Sequence, residues 1–317
     1  MKTYKNPLTI IKSEKPQPFV PTPSLVYTLS SDGTYYIVGT GFTTIEAIQA
    51  DTSGGASGSG LDNTWQGGEL NIPATHNNLP VKGIAPRAFA QITNITKLMI
   101  EDGEMLTIGH RAFQTANNNG GEDTNLKEIT LPNTLKSLGG SQNRVFWGRR
   151  GLETINYRCV NFTEEKTYGD NTNFIYCGSE TLNGLTINIT KDVQQISKGF
   201  FYGNDTYVKE VNFEEGSICS TINDLAFYSI SIKNTSSPTK INFPPSITNI
   251  LGIPFGGNNT YNFIFKLYMV NPPSILPNAM GNETNITKIY VPAESVEAYK
   301  TATNWSNYAN KIEAIPV

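Results

Sequence analysis

Residues 126–139 read Leu-Lys-Glu-Ile-Thr-Leu-Pro-Asn-Thr-Leu-Lys-Ser-Leu-Gly, and residues 108–113 read Ile-Gly-His-Arg-Ala-Phe. The first stretch sets apolar residues at Leu126, Ile129 and Leu131, the last two alternating about Thr130 as in a half-buried strand, and stops at Pro132. The second sets a glycine behind an isoleucine and then an Ala-Phe corner. Both patterns recur along the chain. Matches to Ile129 are Leu70, Leu98, Ile155, Ile187, Val211, Ile241, Leu267 and Ile289. Their closest spacings define a unit of about 22–24 residues, and wider ones carry loop insertions. The corner returns as Ala88-Phe89, Phe200-Phe201, Ala226-Phe227, Pro254-Phe255 and Ala279-Met280. Phe146 stands in another copy, and Phe174 is the candidate in the insertion-rich one. One strand and one phenylalanine cannot exclude water alone. Stacked units make a parallel sheet from the strands and a column from the phenylalanines. A β-sandwich would instead show strands every ~8–12 residues with no fixed aromatic corner. The pattern predicts a β-rich solenoid.

The composition fits a display surface better than a reaction site. Of 317 residues, 16% are charged and 38% hydrophobic, against roughly 25% and 45–50% in an average soluble domain. The difference lies in 34 Asn, 35 Thr and 21 Ser. Disorder is excluded by 31 Ile and 15 Phe spread along a chain of net charge −3. A pI near 5.6 without a Lys/Arg block argues against nucleic acid. No run of about 18 apolar residues offers a membrane span. Cys159, Cys177 and Cys219 are odd in number and lack zinc-site spacing; Cys159 and Cys177 could pair, but three buried thiols fit better. Nine N-glycosylation sequons, from Asn94 to Asn304, carry no signal, since this composition gives about six by chance.

LKEITLPNTLKSLG, IGHRAF, TKINFPPSITNI and ISKGFFYGN resemble the BspA-type, or Treponema-type, leucine-rich repeat. Asn71–Phe89 resembles that family's first repeat, and Ile289–Ile315 its closing segment. The resemblance covers about residues 26–317. It departs at insertions 114–125 and 157–183, and the copy near Ile155 lacks a clear Ile-Gly-Ala-Phe. It implies a parallel-sheet leucine-rich-repeat solenoid, non-enzymatic, of a kind found on bacterial surfaces and in host-adhesion proteins. The expected organisation is a Pro-rich arm (1–25), an N-terminal β cap and Gly/Ser loop (26–68), repeats (69–285) and a C-terminal cap (286–317). In the first cap, Leu25–Leu29 and Thr34–Val38 read as a hairpin. In the last, Glu294–Lys300 reads as a helix, with Trp305 and Tyr308 closing the column.

Two surfaces are candidates for binding. Residues one after the core position are Asn71, Met99, Thr130, Asn156, Asn188, Asn212, Asn242, Tyr268 and Tyr290. Asparagine is a poor strand former, so four consecutive copies need a reason. Either stacked amides stiffen the sheet as a ladder, or they line a polar groove for sugar hydroxyls or peptide amides. Residues one before are Glu69, Lys97, Glu128, Thr154, Thr186, Glu210, Lys240, Lys266 and Lys288, a salt-bridged face with cations gathering C-terminally. The second surface is the insertion with Tyr157, Tyr168 and Tyr176, beside Trp147, Arg149 and Arg150. Tyr and Arg favour binding hot spots, although Trp147, directly after a corner Phe, could fill core instead.

Motifs for catalysis and cofactors are missing: there is no P-loop, nucleophile elbow, His-Glu-x-x-His or EF-hand. His110 is a turn residue, and His76 lies in the first-repeat turn. Glu164-Glu165 and Glu214-Glu215 are adjacent on extended chain and point apart, unlike a glycosidase pair. Asp170–Asn173 reads as a solvated loop rather than a calcium site. The expected role is recognition of a protein or surface glycan, with no cofactor and no metal. Residues 1–23 lack the apolar core of a secretory signal, yet the surface looks extracellular. A phage virion component reconciles the two, its arm docking on capsid, tail or a sister chain through Leu8, Ile10 and Phe19. A bacterial surface adhesin is the alternative, and a glycan-active enzyme the second.

Overall fold

A computed structural model describes residues 25–52, 59–61, 65–115, 123–140, 143–166, 173–203, 206–231, 237–257 and 262–316. The expected docking arm with Leu8, Ile10 and Phe19 lies outside the described residues, as do Tyr168 and the centre of the Gly/Ser loop. Ten strands follow one another in one long parallel sheet, from Gly68–Ile72 through Thr154–Tyr157 and Leu185–Ile189 to Ile286–Val291 and Ile312–Ala314. Each carries apolar residues at alternate positions, so one side of every strand faces the interior. Leu70, Leu98, Ile129, Ile155, Ile187, Val211 and Ile241 pair in register and are fully buried. The molecule is a parallel-sheet solenoid.

The next strand corrects the sequence reading. Ile241 pairs with Phe265 and Phe265 with Ile289, while Leu267 pairs with Phe243. The core residue is therefore Phe265, which evens the spacing to about 24 residues on both sides. In Phe263–Leu267 all three alternate residues are buried. A two-residue slip keeps the same face inside, so hydrophobic pattern cannot detect it, whereas a one-residue slip would turn every side chain outward.

A second sheet closes the other side of each turn. Tyr27–Leu29 and Tyr36–Val38 form an antiparallel hairpin, and Leu79–Ile84, Thr107–Ile108 and Ser137–Leu138 follow in parallel. The Ile-Gly signature belongs to these strands. A Cβ on Gly109 would lie 2.4 Å from the Pro86 nitrogen, so successive turns approach too closely for a side chain. The sheet resumes as Gln195–Ile196, Thr221–Ile222 and Asn249–Ile250. Between the halves, Glu164 takes the place of a strand. Its Oε2 accepts from Ser137 Oγ and the Leu138 amide, both at 2.6 Å. Lys166 pairs with Glu164 and donates to the Gly140 carbonyl at 3.0 Å.

Phenylalanines fill the space between the sheets. Phe89, Phe113, Phe146 and Phe174 stack with centroids 4.9, 5.3 and 5.5 Å apart. Phe174 thus occupies the corner of the insertion-rich turn. The step to Phe201 is tilted by 30°, and Phe227 and Phe255 then continue the stack at 5.3 and 5.5 Å. Near the C-terminus, helix Val296–Thr301 and the 3-10 turn Trp305–Lys311 bury Tyr299, Trp305 and Tyr308. The three hydrogen-bond the carbonyls of Met269, Pro273 and Gly281. Cys159, Cys177 and Cys219 are free and buried.

Candidate functional site

The outward positions of the long sheet divide into two regions. In the first, polar side chains satisfy one another. Lys97 pairs with Glu128 at 3.4 Å, Asn156 Nδ2 donates to Glu128 Oε1 and Thr130 Oγ1, and Asn188 Nδ2 donates to Asn156 Oδ1 at 3.2 Å. A second amide pair follows, Asn242 Nδ2 donating to Asn212 Oδ1 at 2.8 Å and to Glu210 Oε1 at 3.1 Å. No hydrogen bond joins Asn188 to Asn212. The asparagine column is two separate rungs rather than one ladder.

Beyond that gap the face forms a groove of about 330 Å³. Asn212, Asn242, Tyr268 and Tyr290 line it, together with Glu210, Lys240, Ile264 and Lys266. Four residues proposed from the sequence meet here, and Asn156 and Asn188 lie in the preceding rung. The register correction changes how they are arranged. Lys266 pairs with Asn242 and Tyr290, so it stands in the asparagine column where Tyr268 was expected. Tyr268 is two residues further along the same side of its strand. Ile264 occupies the charged column in place of Lys266, which gives the groove an apolar floor element that sequence reading missed.

Cations outnumber anions in the groove, two lysines to the Glu210 carboxylate. Lys288 pairs with Glu313 across the neighbouring strand, whereas no ion pair holds Lys240 or Lys266 to a described residue. Partial burial raises the Tyr268 hydroxyl above its ordinary pKa, so it stays a neutral donor and acceptor at physiological pH. The groove offers two ammonium groups, two amides, two phenols and the Glu210 carboxylate on rigid strands.

The insertion surface is different from the expected one. Arg149 and its partner Asp123 are fully buried, 2.5 Å apart. The guanidinium also donates to the carbonyls of Phe113 and Ile92 at 2.6 and 2.8 Å, tying three turns together. Burial lowers its pKa, and Asp123 opposes that shift. Tyr157 is buried too, edge-on to Phe200 at 4.6 Å. Neither residue can meet a partner at the surface, because both complete the core. Trp147 is half-buried beneath the Arg144 guanidinium, and Arg150 stacks on Tyr176 at 4.7 Å. Of this group, Trp147, Arg150 and Tyr176 remain at the surface.

Other chemistry-bearing side chains have structural partners. His76 stacks on Tyr27 at 3.8 Å, and His110 is buried 3.6 Å from Asp51. Asn173 bonds the Leu138 carbonyl and the Val145 amide. Among the described residues no group of three or more His, Cys, Asp or Glu could hold a metal ion. No helix there is long and apolar enough to cross a membrane.

The model of the BspA type leucine rich repeat region matches the chain over residues 69–179 and 172–310, in six copies. The protein belongs to this family. No curated protein matches the chain. As a BspA-type leucine-rich-repeat solenoid, it has an architecture suited to protein interaction: rigid strands hold side chains outward at a fixed interval.

Proposed function

We propose that this BspA-type protein is a non-enzymatic recognition and structural component that receives a protein or surface-glycan partner in the groove between Glu210 and Tyr290. The carrying observation is the convergence of Asn212, Asn242, Lys266, Tyr268 and Tyr290 on one groove in which two lysines stand beside a single carboxylate, Glu210. Amides and phenols bond sugar hydroxyls or peptide groups equally well, while tyrosine buries area at small entropic cost. Trp147, Arg150 and Tyr176 form a secondary contact edge. The proposed setting is a phage virion, with residues 1–25 as the arm that docks the solenoid on capsid, tail or a sister chain. The neutral polar surface and the Pro-rich arm support that reading.

A test compares the full-length protein with Lys266→Ala and Tyr290→Ala variants on arrays of surface proteins and glycans. Loss of binding by roughly tenfold or more in both is the expected result. Undiminished binding by two folded variants overturns the groove. Removing residues 1–25 should leave array binding intact and abolish incorporation into particles. Display on a bacterial envelope without particles would favour the adhesin alternative.

A further inference from the structure

The second sheet is covered over its early turns and exposed over its later ones. Helix Ile45–Ala50 buries Ile45 and Ile48 against the early turns, where a Cβ on Gly83 would lie 2.9 Å from Ile48 Cδ1, and Thr107 and Ser137 are buried. In the later turns the outward residues Gln195 and Asn249 are exposed. Apolar side chains are exposed with them. Of seven large hydrophobic residues exposed among the described residues, Ile218, Leu251, Ile253, Val270 and Leu276 fall in three successive turns. Thr221 pairs with Asn249, and Asn249 bridges Ser274. Leu251 and Leu276, each two residues further on, are therefore neighbours on adjacent turns. Exposed Ile253 and Pro277 extend the patch along the chain. A lone exposed leucine needs no explanation, but adjoining ones do.

The patch suits a short segment. Its two turns span about 5 Å of the solenoid axis, whereas a stable protein interface covers about 800 Å² per partner. Strand addition is closed as well, because the carbonyls of Pro273 and Ile275 at this end already accept from Trp305 Nε1 and Asn304 Nδ2. Residues 1–24 contain a segment of the right chemistry. Leu8 and Ile10 are two apart, so they share one side of an extended stretch. Charge is complementary too. Residues 1–24 carry four lysines against Glu14 alone, a net of +3, and the whole chain is −3, which leaves −6 on residues 25–317. From the long-sheet strand to the corner, the three turns of the patch (214–227, 244–255 and 268–280) contain Glu214, Glu215 and Asp224 and no lysine or arginine. Lys198 reaches Asp224 from the turn before, at 3.6 Å.

We propose that the patch around Leu251 and Leu276 is the seat of the N-terminal arm of a sister copy, filled by Leu8 and Ile10 with the arm's lysines beside Glu214 and Glu215. This rests on the docking role given above to residues 1–25 and names the surface that receives them. The described chain starts at Leu25 beside the first corner, where the Val26 amide donates to the Gly60 carbonyl and the Gly60 amide to the Ala88 carbonyl. The direct path from there along the same copy follows the corners past Arg87, Arg111 and Arg144, which are like-charged with the arm. The face of a second copy is reached without that passage. Arm and seat are different surfaces, so the contact is head-to-tail and repeats from copy to copy.

The test is sedimentation of the full chain over a concentration series at low and high salt. Association should rise with concentration and weaken with salt. Two double variants, Leu8→Ser with Ile10→Ser and Leu251→Ser with Leu276→Ser, should each weaken it about tenfold or more. Mixing them should restore dimers and nothing larger, because one keeps only a working seat and the other only a working arm. Excess peptide of residues 1–24 should dissolve the assemblies formed by the unaltered chain. Lys266→Ala, in the groove, should change nothing. A full chain that stays monomeric at every concentration overturns the proposal, and so does association that survives the Leu251 and Leu276 changes. Particle incorporation that needs residues 1–25 but not Leu251 and Leu276 overturns this seat and leaves the arm's docking role standing.

Discussion

A single buried ion pair shows how context decides the role of a residue. Arg149 and Arg150 are neighbours of the same type, but one ties three turns through Asp123, Phe113 and Ile92, and the other stacks on Tyr176 at the surface. Arg149→Ala leaves Asp123 charged and buried without its partner, so it should cost about 3–5 kcal/mol in denaturant unfolding. Arg150→Ala should cost within about 1 kcal/mol, because its pairing is partly exposed. The sequence could not separate the two. What distinguishes them is Asp123, which lies within the insertion 114–125 and outside every repeat position. Side chains within the repeat were easier: Asn212, Asn242 and Tyr290 stand where column reading put them.

At the scale of elements, the strand–corner unit was legible because its parts are chemically distinct. Alternation marked the strands, close turn-to-turn approach demanded glycine at positions such as Gly109, and the corner demanded a flat ring. Where chemistry was degenerate, reading failed. Phe263-Ile-Phe-Lys-Leu267 satisfies two registers a pleat apart, and only pairing with Ile241 and Ile289 selects Phe265. The column itself should behave as one element. Phe146 touches rings on both sides. Phe146→Ala should therefore destabilise by about 3–5 kcal/mol. Met280, which ends the series, should tolerate leucine at a cost below about 1.5 kcal/mol.

For the whole molecule, three buried thiols make stability sensitive to alkali. Burial raises Cys159 and Cys177 far above the ordinary thiol value of 9.0, and Cys219 to about 12. A thiol with a raised folded pKa ionises first in the unfolded chain. The folded state therefore keeps its full advantage below the unfolded value and loses it as pH rises above 9. Each thiol removes about 1.4 kcal/mol per pH unit in that range. Unfolding midpoints should be flat from neutrality to about pH 8.5 and then fall steeply, and Cys219→Ala should reduce the slope. A midpoint unchanged to about pH 11 would contradict the burial of these groups. The seam in the second sheet has a mechanical consequence of its own. Backbone bonds from Glu164 to the Lys136 carbonyl and from Lys166 to the Lys198 carbonyl stitch the two halves together where no regular strand runs. Glu164 and Lys166 reinforce that stitch with their side chains. A pull along the solenoid is therefore shared by both margins at the seam instead of opening a hinge about one of them.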